Sequence, residues 1–191
     1  TPGSDLDILF VHSGKIDAEA LKAFVNDVLY PLWDKKSVDH SVRTRSETRD
    51  AANSDLRVAT GLLDIRLICG NSDLVANVKS DSLDFWRRNA KDNLVSLRKS
   101  LQERHARAGE LAYLLEPDLK EARGGLRDIQ ALRAISLTGA VAVPLEKVSW
   151  AEATLNNVRE SLHVASGRGK DRLLFQEQDK VAAHLGFVDA D

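Results

Sequence analysis

The periodicity of the apolar residues changes near residue 75, and this change limits the fold more than any other feature of the sequence. Before it, two short apolar or β-branched runs, 6–11 and 38–43, alternate with segments of helical period. After it, only the helical period recurs. The sequence therefore predicts an α/β (α+β) domain over residues 1–75 followed by an all-α helical bundle over residues 76–191.

Capping and breaking residues place the predicted helices. Asp17 predicts the N-cap of a helix that ends near Pro31 and the lysine pair at 35–36. A second helix is predicted over 55–69, where Gly70 ends it. The second half predicts helices over 83–108 and 126–137, another through Leu162, and a last one before Gly186.

The charge balance and the single cysteine exclude several classes of protein. The 27 Lys+Arg and 29 Asp+Glu give a formal net charge of -2, so no overall basic field attracts nucleic acid or an anionic membrane. Cys69 has no second cysteine with which to form a disulfide, which favours a reducing compartment. No apolar run approaches the roughly 20 residues of a membrane helix. We therefore expect a cytoplasmic protein with neither a nucleic-acid partner nor a membrane partner.

Two aspartates stand at the start of the first predicted strand. Asp5 and Asp7 are two residues apart, so on a strand their side chains share a face about 6 to 7 Å apart. Such carboxylates repel unless a cation lies between them, and hard oxygen ligands suit Mg²⁺. Gly3 and Ser4 supply a turn whose amides can approach a phosphate. The pattern predicts a nucleotide and metal site, with a solvated strand start as the alternative.

The second predicted strand offers a third carboxylate. Its alternation places Asp39, Ser41 and Arg43 on one face, which matches the face of the first two aspartates if the strands share a sheet. Asp39 is then the preferred third ligand, and Arg43 offers a bidentate fork to a phosphate. Asp64 is the competing third ligand, and it ranks below Asp39 because it lies on the helix predicted over 55–69, where a carboxylate is by default a surface charge.

A glycine pair precedes the helix predicted over 126–137, in a segment that we call the Gly-Gly loop (residues 115–128). The amides of Gly124 and Gly125 with the helix N-terminus predict an anion site, and Lys120, Arg123 and Arg127 lie near enough in sequence to surround a triphosphate. The alternative is a loop with a glycine N-cap and solvated charges. The segment 167–170 also resembles a phosphate loop, although an interhelical turn explains it equally well.

Several motifs together resemble one bacterial family. They are Gly3-Ser4-Asp5-Leu6-Asp7; Asp39-His40-Ser41-Val42-Arg43-Thr44; Leu62-Leu63-Asp64-Ile65-Arg66; and Glu116-Pro117-Asp118-Leu119-Lys120 followed by Gly124-Gly125-Leu126-Arg127-Asp128-Ile129. In order and spacing these motifs resemble the PII uridylyltransferase/uridylyl-removing enzymes, and residues 159–175 resemble helices of the same family. The resemblance implies a nucleotidyltransferase domain of the polymerase-β type with a helical domain.

The resemblance also implies a reaction. In that family a nucleoside monophosphate moves from a nucleoside triphosphate to a tyrosine hydroxyl of the PII nitrogen-signalling protein, and glutamine reports the nitrogen status. UTP is the expected donor and ATP stays open as an alternative. The family further carries a glycine-rich strand upstream of the Gly-Ser motif, a phosphohydrolase domain that removes the nucleotide, and glutamine-sensing domains. This sequence holds none of these, so we expect a fragment that performs transfer at most and catalyses poorly alone.

The expected mechanism is an in-line attack of the tyrosine oxygen on the α-phosphate. Asp5 and Asp7 would hold Mg²⁺, and Asp39 would bridge an ion or help to accept the hydroxyl proton. Lys120 and Arg127 would hold the departing pyrophosphate, and the other expected nucleotide-binding residues are Gly3, Ser4, Arg43, Gly124 and Gly125. The alternatives are an enzyme similar to the glutamine-synthetase adenylyltransferases and a non-catalytic helical docking module. Only an enzyme would show triphosphate-dependent Mg²⁺ binding.

Overall fold

A computed structural model describes residues 3–189 and shows a mostly helical protein with a small parallel sheet. Its elements, in chain order, are β1 (Leu6–His12), α1 (Ala18–Trp33), β2 (Val38–Thr44), α2 (Arg45–Ser54), α3 (Leu56–Leu62), α4 (Ser72–Arg88), α5 (Ala90–Ala108), α6 (Leu126–Leu137), α7 (Ser149–Ser166) and α8 (Phe175–His184). Single 3₁₀ turns occupy Leu111–Tyr113 and Leu145–Lys147. Among the described residues, no helix is long and apolar enough to cross a membrane.

The chain divides into two compact units. The N-terminal unit is Ser4–Asn89, and the C-terminal unit comprises residues 90–189 together with Gly3. The change in sequence pattern lies near residue 75, whereas the units divide at Asn89. The reason is that α4 packs on α2 and α3, so this helix belongs with the strands although its own sequence is purely helical.

The two predicted strands pair in parallel in the N-terminal unit, and α1 connects them. Asp17 begins α1 as predicted, because its carboxylate accepts a hydrogen bond from the Ala20 amide at 3.0 Å. One face of the sheet contacts α1. The Phe10 ring meets Phe24 edge-on with centroids 6.4 Å apart, and the rings of Trp33 and His40 lie 6.1 Å apart.

In this unit one helix prediction was wrong, and one helix was not predicted. The helix predicted over 55–69 ends at Leu62, because the amides of Leu63 and Asp64 turn back to Thr60 and Gly61 and tighten the last turn. The chain before it, which carried no prediction, forms α2 through a capping box between Thr44 and Glu47.

The helix α1 ends at Trp33, between Pro31 and the lysine pair, which confirms the predicted end; Pro31 lies in its last turn, where a proline costs only one late amide bond. Another helix boundary differs from the prediction. The helix predicted over 83–108 is broken at Asn89, whose backbone and side-chain amides both donate to the Phe85 carbonyl. The two parts are α4 and α5. The prediction of a helix over 126–137 is confirmed by α6.

Each unit has its own buried apolar residues. In the N-terminal unit Trp86, Leu29 and Val78 are almost completely buried. In the C-terminal unit Leu119, Leu162 and Val181 form a core cluster, which fixes the Gly-Gly loop against α7 and α8. Burial of a large side chain is the dominant favourable term in such a core.

Replacing the buried Trp86 by alanine should destabilise the protein by about 3–5 kcal/mol, since a tryptophan that is 0% exposed leaves a large cavity. The matched control is Trp150→Ala, where the side chain is 77% exposed and the expected change is within about 0.5 kcal/mol. Urea denaturation followed by circular dichroism measures both. Equal stability losses would contradict the packing described here.

Candidate functional site

The face of the sheet opposite α1 carries two neighbouring carboxylates. The parallel register pairs Asp7 with Asp39, so their side chains lie on the same face of adjacent strands, whose separation is about 4.8 Å. Both side chains are exposed, and Asp5 is exposed just before β1 begins. The fold thus brings together two of the three predicted carboxylates as strand neighbours.

Ser41 and Arg43 continue this face along β2. Arg43 is half-buried and lies beside Val11 in the register. The pKa of Glu47, in the capping box of α2, is lowered most by the hydrogen bonds from the Thr44 amide and hydroxyl. The positive charges of His12 and Arg43 lower this pKa further. Arg43 is therefore a cation at the end of the carboxylate face.

Asp64 does not lie on a helix, and that prediction was wrong. It lies in the exposed turn after α3, because the helix ends at Leu62. The helical placement was the reason for ranking Asp64 below Asp39, so that reason does not hold. Whether either residue binds a metal stays a prediction.

The carboxylates on the sheet face opposite α1 are the type of ligand that Mg²⁺ prefers. Asp7 and Asp39 offer hard oxygen ligands side by side, and Mg²⁺ in proteins commonly takes one or two carboxylates and completes its sphere with water and substrate phosphates. Within residues 3–189, no group of three His, Cys, Asp or Glu side chains is arranged to hold a metal ion. The pair therefore fits part of a Mg²⁺ site that substrate oxygens would complete.

The Gly-Gly loop of the C-terminal unit needs both of its glycines. Gly124 has a φ of +88°, in the left-handed region that favours glycine. A Cβ on Gly125 would lie 2.8 Å from the Leu119 carbonyl oxygen and 2.9 Å from that of Ala122. Gly125 is the N-cap of α6. Both glycines are explained by the turn itself.

The amides at the start of α6 donate to the loop. Gly125 donates to the Ala122 carbonyl at 2.8 Å, and the two amides that follow donate to the carbonyls of Leu119 and Lys120 at 3.0 and 3.1 Å. The Gly124 amide donates to Asp128 Oδ2 at 2.7 Å. The donors that the sequence assigned to an anion therefore have partners inside the chain. Nucleotide binding by Gly124 and Gly125 stays a prediction.

The cations of the loop differ in how firmly they are held. Arg127 contacts Glu121 at 3.3 Å and donates to Gln130 at 3.2 Å. Arg123 lies 3.6 Å from Glu110. The Lys120 ammonium lies 3.9 Å from Asp171 Oδ2, which is beyond hydrogen-bond length. Lys120 is thus the loop cation with the weakest pairing among these three.

Asp171 joins α7 to the Gly-Gly loop, because its side chain binds α7 and its backbone carbonyl accepts from the Leu119 amide of the loop at 2.8 Å. Its Oδ1 accepts from Arg159 Nε at 2.6 Å and lies 2.9 Å from Nε2 of the buried His163. The Gly3 amide donates to Nδ1 of the same ring at 3.2 Å, which assigns the proton to Nε2. Partial burial acts to raise the pKa of Asp171, but Arg159, His163 and Lys120 outweigh it and hold the pKa below the ordinary 3.8.

Asp128 forms a second centre of the same kind at the start of α6. It pairs with the buried Arg104 and lies 2.8 Å from His105 Nε2. Arg104 also donates to the Glu121 carbonyl at 2.6 Å. Burial acts to raise the pKa of Asp128, but the bonds from Gly124, His105 and Arg104 outweigh it and lower the pKa below 3.8. Asp128 therefore fastens the loop to α5.

A family model and several curated proteins match this chain. The model described as GlnD PII-uridylyltransferase matches residues 92–138 and 142–191. The chain belongs to the GlnD PII-uridylyltransferase family. The matched residues contain the Gly-Gly loop and both of its partly buried carboxylates, Asp128 and Asp171.

The similar proteins share one name, bifunctional uridylyltransferase/uridylyl-removing enzyme. That of Streptomyces coelicolor is 48% identical over 192 residues, with 100% of this chain and 23% of the relative covered. That of Mycobacterium tuberculosis is 41% identical, covering 98% and 24%, and that of Corynebacterium glutamicum is 34% identical, covering 99% and 27%. The chain spans about a quarter of the length of these relatives. No solved structure matches it.

The sequence alone did not identify the side chains that hold the Gly-Gly loop in place. His163 and His105 show no ligand spacing, and their carboxylate partners lie 8 and 23 residues away in sequence. One local signal existed, since Arg159 and His163 are four apart and so share a face of α7. Asp171 could be paired with them only once the loop that carries it was placed.

Replacing Asp171 by asparagine should destabilise the protein at pH 7 by about 3 kcal/mol, because it leaves Arg159 without its buried counterion. The variant should also lose less free energy of unfolding than the parent as the pH falls. The folded pKa of Asp171 is lowered, so its contribution is complete above pH 3.8 and disappears as the pH falls through the folded value.

Urea denaturation at a series of pH values from 7 to 3 measures both effects. The control is Asp189→Asn, which changes an exposed aspartate of the same unit and should follow the parent curve. A variant at Asp171 with parental stability at pH 7 and a parental acid slope would show that this carboxylate does not hold the loop.

Proposed function

We propose that this chain carries the nucleotidyl-transfer chemistry of a PII-uridylyltransferase and has the polymerase-β type of nucleotidyltransferase fold. The substrates are UTP and a tyrosine hydroxyl of the PII signalling protein, and UMP is transferred with release of pyrophosphate. The observation that carries the proposal is the pairing of Asp7 with Asp39 on the sheet face opposite α1. Membership of the family and the names of the relatives support the choice of reaction.

Asp7 and Asp39 would hold Mg²⁺, and Asp5 is the further carboxylate at the same end of β1. The ion would neutralise negative charge on the phosphates as the transfer proceeds. This role explains why two carboxylates stand side by side on an exposed sheet face, where their mutual repulsion would otherwise be uncompensated.

The chain's own residues supply positioning and proton acceptance. Asp39 lies next to Asp7 and would help to accept the tyrosine proton as its oxygen attacks the α-phosphate. Arg43 lies on the same face four residues beyond Asp39 and would hold a phosphate oxygen through its planar guanidinium. Gly3 and Ser4 directly precede these aspartates and would form the turn that approaches the phosphates, although the Gly3 amide would first have to leave His163 Nδ1.

Lys120 and Arg127 belong to the C-terminal unit, and the proposal on them rests on that unit alone. Lys120 has a weakly paired ammonium and is the stronger candidate for a phosphate ligand. Arg127 would first have to leave Glu121 and Gln130. We therefore assign the departing pyrophosphate to Lys120 before Arg127.

Asparagine in place of Asp7 or Asp39 should lower the transfer rate roughly a thousandfold, since each change removes one charged ligand and keeps the side-chain size. The assay is incorporation of labelled UMP into PII by the whole protein, with circular dichroism to check folding. Asp64→Asn is the matched control and should retain activity. Near-normal transfer by both variants, or a loss confined to Asp64→Asn, would overturn the assignment.

The nucleobase and the acceptor need a separate experiment. The whole protein is incubated with PII and with labelled UTP or ATP in turn, and PII with its target tyrosine changed to phenylalanine serves as the control. We expect label from UTP on the tyrosine only. Label from ATP alone would favour the adenylyltransferase alternative. The absence of both transfer and triphosphate-dependent Mg²⁺ binding would favour a docking module.

A further inference from the structure

An open groove lies between α6 and α7 in the C-terminal unit. It is lined by Lys120, Leu126, Gln130, Glu152, Asn156 and Arg159. The residues from α6 are four apart, and those from α7 follow a spacing of four and three, so each helix presents one face to the groove. The Gly-Gly loop contributes Lys120. All of the lining therefore belongs to one unit of the chain.

Several hydrogen-bond donors in this groove make no hydrogen bond to another group among residues 3–189. The Lys120 ammonium lies 3.9 Å from Asp171 and makes no side-chain hydrogen bond within this part of the chain. The half-buried Asn156 amide makes none either. Gln130 uses its oxygen to accept from Arg127, which leaves its NH₂ group. Donors from three side chains, Lys120, Asn156 and Gln130, thus line one groove and make no hydrogen bond to an acceptor of the described residues.

Arg159 adds a fourth donor, and its guanidinium is the donor that is held most firmly in place. Its side chain is 13% exposed, and Asp171 takes its Nε at 2.6 Å and one Nη at 3.3 Å. The second Nη has no acceptor among the described residues. Because Asp171 holds it at two points, Arg159 is already oriented before any ligand arrives.

The acidic groups near the groove are already balanced. Glu152 pairs with Arg133, whose Nη2 lies 2.5 Å from its carboxylate. Asp171 is shared by Arg159 and Lys120, which leaves this cluster with one positive charge in excess. An anion that enters the groove therefore meets unused donors and a net positive charge.

We propose that this groove binds a phosphate-bearing anion, with Lys120 and Asn156 as the main donors and Arg159 as the fixed one. A tetrahedral oxyanion has enough acceptor oxygens to use the donors from all three segments at once, and the amides select for hydrogen bonding in addition to charge. The choice of phosphate over other oxyanions rests on the proposed function. The anion is either the phosphate chain of a bound triphosphate or free pyrophosphate.

The test is isothermal titration calorimetry on the full chain with a chelator present and no Mg²⁺, so that the Asp7–Asp39 face plays no part. The probes are inorganic pyrophosphate, UTP and uridine. We expect saturable binding of pyrophosphate, UTP or both, and none of uridine. Binding of UTP without pyrophosphate identifies the triphosphate as the ligand, and binding of pyrophosphate identifies the free anion.

Lys120→Gln should weaken that binding by about tenfold to a hundredfold, and Asn156→Leu, which is close in size but has no donor, by about threefold to tenfold. Lys180→Gln is the matched control, because it makes the same change at an exposed lysine of α8 and should leave the affinity unchanged. Melting curves within a few degrees of the parent exclude unfolding as the cause.

Three results would overturn the proposal: no binding of either phosphate probe, parental affinity in both groove variants, or an equal loss in Lys180→Gln, which would indicate general charge attraction. The proposed transfer reaction fails separately. Groove binding without any transfer to PII would leave the anion site standing and reject the proposed function. Transfer without groove binding would reject only the groove.

Discussion

The parallel pairing of β1 with β2 decides what the N-terminal unit can do, because the register chooses which side chains become neighbours. Asp39 lies beside Asp7 only in the observed register, and a slip of one residue would turn every side chain of β2 to the other face. The contacts of α1 with Phe10 and His40 fix which face that helix occupies. The carboxylates are left on the opposite face, where exposed charges are hydrated and accessible to a cation.

In the C-terminal unit, two partly buried carboxylates determine how the segments are held together. Asp128 fastens the start of α6 to α5, and Asp171 fastens the Gly-Gly loop to α7. Their bonds, with those of the backbone, account for most of the loop's donors, so this loop is a built structure whose glycines serve its turn. The Lys120 ammonium is the most weakly paired of the loop cations Lys120, Arg123 and Arg127, and it lies at a groove rather than at the helix N-terminus.

Local signals in the sequence predicted the elements that depend on local chemistry. The N-cap at Asp17, both strands and α6 could be predicted, because capping, alternation and a glycine pair act within a few residues. The helix α2 was missed, since its sequence is polar and only the Thr44–Glu47 capping box marks it. The networks of Asp128 and Asp171 were also missed, because a hydrogen bond between distant segments leaves no periodic trace in the sequence.

We propose that Asp7 and Asp39 together bind the metal that accompanies the nucleotide. Electron paramagnetic resonance of Mn²⁺, titrated into the whole protein with a non-hydrolysable UTP analogue, tests it without requiring catalysis. We expect Asp7→Asn and Asp39→Asn each to weaken Mn²⁺ binding by about tenfold or more, and Asp64→Asn to leave it unchanged. Parental Mn²⁺ affinity in both strand variants would show that these two carboxylates do not bind the metal.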